Sequence, residues 1–447
     1  MKATAWWLLL SLPAQAGPGL LPDLSLPQGV GVNIHFTTGH DTELDLIARG
    51  GFRWVRMDFG WAGTERRPGE YDWSAYEALT SALERRQLRA IYILDYSNPL
   101  YETTVVSKNP ITGREQRATA SPQHAESVAA FARWAAAAAA HFKGRPIVWD
   151  IWNEPNIFFW QPKPDVAQYC ALALATCRAI RRADPEATII GPATSEVPLP
   201  FLETFLASGV LPYLAGISVH PYRNYAKPPE TADEDYVKLR EFILRYAPAG
   251  RHVPIISGEW GYASHVKGVT LETQAAFLAR QQLANLLAGI PLSIWYDWKN
   301  DGEDANEREH NFGTVMPDLR PKPAYLAVQT LTTELDGYRI KERVRQPNER
   351  DYVLRLSKPR SGDRLAAWTL DQPHEVSLPL RLKRAGKVAV VSGLGRRYQP
   401  LPSQPPAAAN ANPTPDPDAP FRVQGERLIL RLGSLPLYVD LRDERSR

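Results

Sequence analysis

The 447-residue chain is 44% hydrophobic and 23% charged, proportions of ordinary soluble globular protein and enough for a barrel of ~250 residues plus a smaller unit. Its 52 Lys and Arg against 49 Asp and Glu leave a formal charge of +3 with no basic or acidic runs, which argues against nucleic acid as a partner. Thirteen Trp and eighteen Tyr are more than a core of this size needs, and they supply flat amphipathic rings.

The chain opens with Met1-Lys2, an apolar run from Ala5 to Leu12 and the small-residue signal Ala14-Gln15-Ala16. This predicts a signal peptide over residues 1–16, cleaved after Ala16, and a periplasmic or secreted mature chain. The apolar run is shorter than the ~20 residues a bilayer span requires, and no later segment is a spanning candidate.

Eight strand-like runs follow, at Val30–Phe36, Trp54–Phe59, Ala90–Asp95, Ile147–Asn153, Thr188–Pro192, Gly216–Tyr222, Pro254–Trp260 and Leu292–Trp298. Stretches of helical period separate them, with start signals such as Ser121-Pro122 ahead of His124–His141, and Thr270 ahead of Leu271–Leu287 with Gly289 behind it. Eight alternating repeats predict an α/β fold, a closed (β/α)8 TIM barrel over residues 24–335. Cys170 and Cys177 share one face of a helical stretch but lie ~10 Å apart along its axis, so they read as buried thiols and not as a disulfide. After a last helix at Ala324–Leu335 the pattern changes to short alternating segments: Tyr352–Leu356, Leu365–Leu370, Val388–Ser392 and Leu428–Leu432. They predict an antiparallel, β-sandwich-like accessory domain over 336–447, with the Pro-, Ala- and Asn-rich stretch 400–420 as a disordered loop inside it.

In such a barrel the strand C-termini carry the chemistry. Glu154 closes the fourth strand, in Trp149-Asp150-Ile151-Trp152-Asn153-Glu154-Pro155, and Glu259 closes the seventh, in Ile255-Ile256-Ser257-Gly258-Glu259-Trp260. Each follows an apolar run, yet Glu is rarely buried without a partner. Cleavage of a glycosidic bond needs a proton donor for the leaving oxygen and a second carboxylate for the anomeric carbon, and two opposed glutamates supply both.

Asn153-Glu154-Pro155 with a Glu on strand seven resembles clan A of the glycoside hydrolases. Gly31-Val32-Asn33-Ile34-His35-Phe36, Phe158-Phe159-Trp160, Ser257-Gly258-Glu259-Trp260-Gly261-Tyr262 and Trp295-Tyr296-Asp297-Trp298 are most similar to family 39, closest to bacterial enzymes associated with biofilm exopolysaccharide. The resemblance implies Glu154 as acid/base and Glu259 as nucleophile of a retaining hydrolase acting on β-type bonds of an oligo- or polysaccharide. It also implies that Asn153 holds the 2-hydroxyl of the −1 sugar, Arg56 lies beside the nucleophile, Tyr222 of His220-Pro221-Tyr222 holds the nucleophile, His220 lies near the acid/base, and Trp295 sits under the −1 sugar. Trp160 and Phe159 are candidates for a leaving-group platform. Asp95, Tyr101, His35, Trp260, Asp297 and Trp298 are candidates for sugar contacts at the strand ends. No metal or organic cofactor enters this scheme, and the chain is expected to be a monomer. The alternatives are a transglycosylase with the same pair and a non-catalytic carbohydrate-binding barrel.

Overall fold

The computed structural model describes residues 20–108, 113, 115–380, 387–398, 401–402 and 419–441. The expected leader at 1–16 and all but the edges of the expected loop at 400–420 lie outside the described residues.

Eight parallel strands close the barrel: β1 (Val30–Asn33), β2 (Trp54–Gly60), β3 (Arg89–Asp95), β4 (Ile147–Ile151), β5 (Thr188–Ser195), β6 (Gly216–His220), β7 (Ile255–Trp260) and β8 (Ser293–Trp295), each paired with its sequence neighbours and β8 with β1. Alternation along each strand divides the apolar residues into two sets. Val30, Val32, Val55, Phe59, Tyr92, Trp149, Ile217 and Val219 face the surrounding helices in the main core. Trp54, Ile91, Val148, Ile190, Ile256, Leu292 and Ile294 face inward and plug the barrel near the strand starts, with Leu20 and Leu21 packed against the plug. Above the plug, the same inward register delivers polar groups: Asn33, Arg56, Asp150, Ser218 and His220, all buried. Gly258 stands on this register because a Cβ there would lie 2.4 Å from Ser218 Oγ.

Helices form where the start signals place them. Thr270 accepts the Thr273 N–H at 3.1 Å and starts the helix Leu271–Leu287. Asp165 caps Val166–Ala183 by accepting from Ala167 and Gln168, and Cys170 and Cys177 on that helix are buried free thiols. Among the described residues, no helix is long and apolar enough to cross a membrane.

The later strands are β9 (Arg339–Arg343), β10 (Asp351–Ser357), β11 (Arg364–Thr369), β12 (His374–Pro379), β13 (Lys387–Ser392), β14 (Leu401–Pro402), β15 (Phe421–Gln424), β16 (Arg427–Leu432) and β17 (Leu437–Asp440). They form a six-stranded sheet, β9-β10-β11-β17-β13-β14, and a three-stranded sheet, β12-β16-β15, with antiparallel pairings throughout. Period-two alternation gives the larger sheet two buried faces. Leu354, Leu356, Ala366, Trp368, Val391 and Tyr438 join the barrel's core, while Val353, Leu365, Ala367, Val390, Leu437 and Val439 pack with residues of the smaller sheet.

Candidate active site

Arg56 organises the mouth of the barrel. Fully buried on β2, it donates from Nη1 to Glu259 Oε2 at 2.5 Å and from Nη2 to Asn153 Oδ1 at 2.7 Å. The same Nη2 lies 3.1 Å from His220 Nε2, and Nη1 lies 3.4 Å from Asn33 Oδ1. Burial works against the guanidinium charge, but the Glu259 and Asp150 carboxylates outweigh it and raise the pKa, so this group is a fixed cation joining five strand ends.

Glu259 reaches the lumen through an irregularity. The β7–β8 register shifts between Ser257 and Trp260, which turns Glu259 inward one residue after the inward-facing Gly258. Its Oε1 accepts the Tyr222 hydroxyl at 2.8 Å while Oε2 takes Arg56. Burial and the neighbouring Glu259 charge push the Tyr222 pKa far up, so the phenol keeps its proton and donates.

Glu154 sits just beyond β4 with φ 47°, between Trp152 at φ 69° and, across its backbone hydrogen bond, Ala193 at φ 51°. Three non-glycine residues in left-handed conformation at two adjacent strand ends mark stored strain of the kind found at functional sites. Burial raises the Glu154 pKa to about 7, with Arg56 pulling the other way. His220 Nδ1 lies 3.0 Å from Glu154 Oε1. One oxygen of Glu154, one of Glu259 and a nitrogen of His220 all lie within 4.8 Å of one another. An approach of single oxygens this close suits the ~5 to 5.5 Å between carboxyl groups of retaining glycosidases better than the ~6.5 to 9.5 Å of inverting ones. The same trio has the donor types of a metal site, but the Arg56 cation already occupies one Glu259 oxygen.

Asn153 is held in one orientation: Oδ1 accepts from Arg56 and Nδ2 donates to the Tyr96 hydroxyl at 3.1 Å, leaving its second amide hydrogen for a ligand. His35 is exposed at the rim, 3.6 Å from Asp297 Oδ2. Asp297 is pushed up to about 7 by burial, and its carboxyl raises the His35 pKa against that ring's own partial burial.

Several expected contacts are corrected by burial. Trp160 is no platform: it is enclosed, its ring 5.1 Å from Trp152 and its indole N–H bonded to Gln168. Phe159, beside it, is the partly exposed ring and stacks on Tyr96 at 5.8 Å. Trp260 and Trp295 each have 0% exposure and face outward into the helix layer, so neither offers a face to a sugar. Trp298 is buried and donates to Glu43, and Tyr101 stacks on Trp61 and donates to Glu65, which makes both structural. Asp95 points inward but is closed from solvent, and burial followed by the neighbouring Asp58 raises its pKa well above the carboxylate range.

The sequence reading missed four residues. Asp58 lies one inward step beyond Arg56 and is partly exposed in front of Asp95. Tyr296 is the partly exposed aromatic at the end of β8, and Tyr96 orients Asn153. Arg308, from the loop after β8, places its guanidinium 6.0 Å from the Tyr222 ring centroid and 5.0 Å from that of Phe312. The strand period signals Asp58 and Tyr296; nothing local in the sequence signals Arg308.

Comparison with known proteins identifies the fold and the family. A curated β-xylosidase from Caldicellulosiruptor saccharolyticus is 25% identical over 236 residues, 46% of this chain and 47% of that relative, so the chain aligns with about half the length of the curated relative it matches. Among solved structures, a family 39 glycoside hydrolase from Bacteroides cellulosilyticus WH2 superposes with a TM-score of 0.76 at 21% identity, covering 96% of this chain and 82% of that one. A monomeric β-xylosidase from Caulobacter crescentus CB15 gives 0.65 at 17% identity, over 96% and 98%. These two likenesses establish a shared fold that extends across the β domain. The family model described as "Cellulase (glycosyl hydrolase family 5)" matches residues 27–302, most of the barrel including both glutamates, and the chain belongs to this family of clan A glycoside hydrolases.

Proposed function

We propose that the protein hydrolyses β-type glycosidic bonds with retention of configuration, Glu154 acting as acid then base and Glu259 as nucleophile. The observation that carries this is the asymmetric pair. One oxygen of each of two carboxyl groups lies within 4.8 Å of the other, one group raised to about 7 by burial and the other tied to Arg56 and Tyr222. A protonated and an ionised carboxyl at this spacing are what double displacement requires. In the first step Glu154 gives its proton to the leaving oxygen as Glu259 attacks the anomeric carbon. The nucleophile's negative charge is consumed in the glycosyl-enzyme, which removes a repulsion and makes Glu154 more acidic, ready to take a proton from water. Asn153 directs its free amide hydrogen at the 2-hydroxyl.

The substrate we propose is an oligo- or polysaccharide, and the motif resemblance to biofilm-associated enzymes favours a bacterial exopolysaccharide over a plant polymer. The leader-like start of the chain supports a periplasmic or secreted location, and a site built wholly from one chain supports a monomer.

Proton NMR of the first product from an accepted β-glycoside, read before mutarotation, tests the mechanism. Retention is the expected result. An α product would make Glu259 a water-activating base and overturn the double displacement.

A further inference from the structure

Resting on the reading of Glu259 as nucleophile, we propose that the β domain is a positioning part of the active site, acting through the loop after β6, with Glu230 and Trp368 as the residues that transmit it. That loop begins at His220-Pro221-Tyr222, where Tyr222 donates to Glu259, and ends in the 3-10 turn Pro229–Ala232, which carries Glu230. Glu230 is buried, and every contact the structure gives its carboxylate comes from outside the loop. Arg280, on the helix Leu271–Leu287, donates from Nε to Oε1 and from Nη2 to Oε2, both at 2.7 Å. Trp368, on β11 of the β domain, donates its indole N–H to Oε1, also at 2.7 Å.

The anchor itself is rigid. Trp368 is fully buried and stacks on Tyr352 at 4.9 Å, and the far side of Tyr352 carries Arg343 at 3.6 Å from the ring centroid. Arg280 also reaches the β-domain carbonyl of Ser434 at 3.5 Å. Midway along the loop, Tyr262 donates to the Lys227 carbonyl at 2.9 Å. The loop is thus pinned at its end by a charge-assisted fork and an indole of the β domain, and at its start by the nucleophile. Apolar packing would suffice to dock the two domains. A buried carboxylate with three directed donors instead fixes where the loop lies, and so where the Tyr222 hydroxyl points. A displaced Tyr222 withdraws its hydrogen bond from Glu259 Oε1 and releases that carboxylate from the orientation it shares with Arg56.

The test is a double-mutant cycle read as kcat and KM, each by itself, on an accepted aryl glycoside. Trp368→Phe keeps an aromatic ring against Tyr352 and removes the indole N–H together with the rest of the pyrrole ring, so its folding is checked by thermal melting. We expect kcat to fall by about threefold to tenfold with KM unchanged. Tyr222→Phe should lower kcat in the same way, and Trp368→Phe should add nothing in that background. Glu230→Gln, with folding checked by thermal melting, should reproduce the Trp368→Phe loss. An unchanged kcat in Trp368→Phe, a loss carried by KM, or effects that add in full overturn the proposal while leaving the role of Glu259 standing. An unchanged kcat in Tyr222→Phe overturns the role given to the Tyr222 hydroxyl at Glu259, and the proposal with it.

Discussion

The Arg56 guanidinium donates to His220 Nε2 at 3.1 Å, and this contact sets the protonation of the ring that faces Glu154. A guanidinium has no acceptor, so Nε2 must present its lone pair, which puts the ring proton on Nδ1, 3.0 Å from Glu154 Oε1. Burial depresses the His220 pKa to about 3, with the Arg56 charge adding to the effect and Glu259 opposing it, so the ring stays neutral. Oε1 of Glu154 is then occupied as an acceptor, leaving Oε2 to carry the transferable proton. Nitrogen-15 NMR of the imidazole should show the Nδ1–H tautomer, without titration between pH 5 and 8. An Nε2–H tautomer, or a titration near the ordinary histidine value, would contradict this arrangement.

Activity should carry the signature of Glu154 on its alkaline side. The acid must be protonated for the first step, and burial places its pKa at about 7, so kcat/KM should fall as pH rises through that value. Glu154→Gln should abolish this limb. Its loss of rate should be far greater on substrates with poor leaving groups than on activated aryl glycosides, because only the former need a proton donor. Azide should partly restore turnover and yield a glycosyl azide; equal loss on both substrate types with no adduct would remove Glu154 from the role.

Much of this was legible in the sequence, and the failures have one cause. Eight alternating repeats give the barrel, and glutamates after apolar runs give the two carboxylates that meet at its mouth, because burying an unpaired carboxylate is too costly to be incidental. Tryptophans carry no such signal, since an enclosed indole and an exposed one follow the same apolar neighbours. Counting the strand period would have corrected Trp295: Leu292 and Ile294 point into the plug, so Tyr296 comes next on the inward face. The same count fails on β7. From Ile256 and Gly258 it would place Trp260 in the lumen, and only the register shift turns Glu259 inward and Trp260 out. Irregularities of that kind are set by contacts across the sheet, as is the reach of Arg308 from its loop, so no local pattern encodes them.

Substitution at the end of β8 should separate the two aromatic roles. Tyr296 is partly exposed, with its ring 5.2 Å from Phe312 and 5.7 Å from His35, and burial, Asp297 and Glu259 raise its pKa so that the hydroxyl remains a donor. Tyr296→Ala should lower kcat/KM by about tenfold with little change in melting temperature. Trp295→Ala should instead cost ~3 to 5 kcal/mol of stability, the range for emptying a large aromatic from a packed core. The reverse pattern in paired thermal melts and kinetics would restore Trp295 as the sugar platform.

Glu154 should also be a stability burden whose pH dependence has a definite sign. A carboxyl whose folded pKa is raised binds more protons in the folded state than in the unfolded one, so stability is fully present below the unfolded value and falls as pH rises through the folded value. For Glu154 the window runs from its ordinary value of 4.5 to about 7, which corresponds to at most about 3 kcal/mol lost on ionising the buried group. Glu154→Gln removes the titration and keeps the shape. Exchange of acid for amide shifts stability by a constant, so the difference between variant and native protein is what must change with pH. Chemical unfolding at pH 5 and pH 8 should show Glu154→Gln gaining on the native protein at the higher pH, by a sizeable part of that amount. A pH-independent difference would mean that Glu154 ionises in the folded protein as easily as in water. The raised pKa, and the alkaline limb of the rate profile attributed to it, would then need another source.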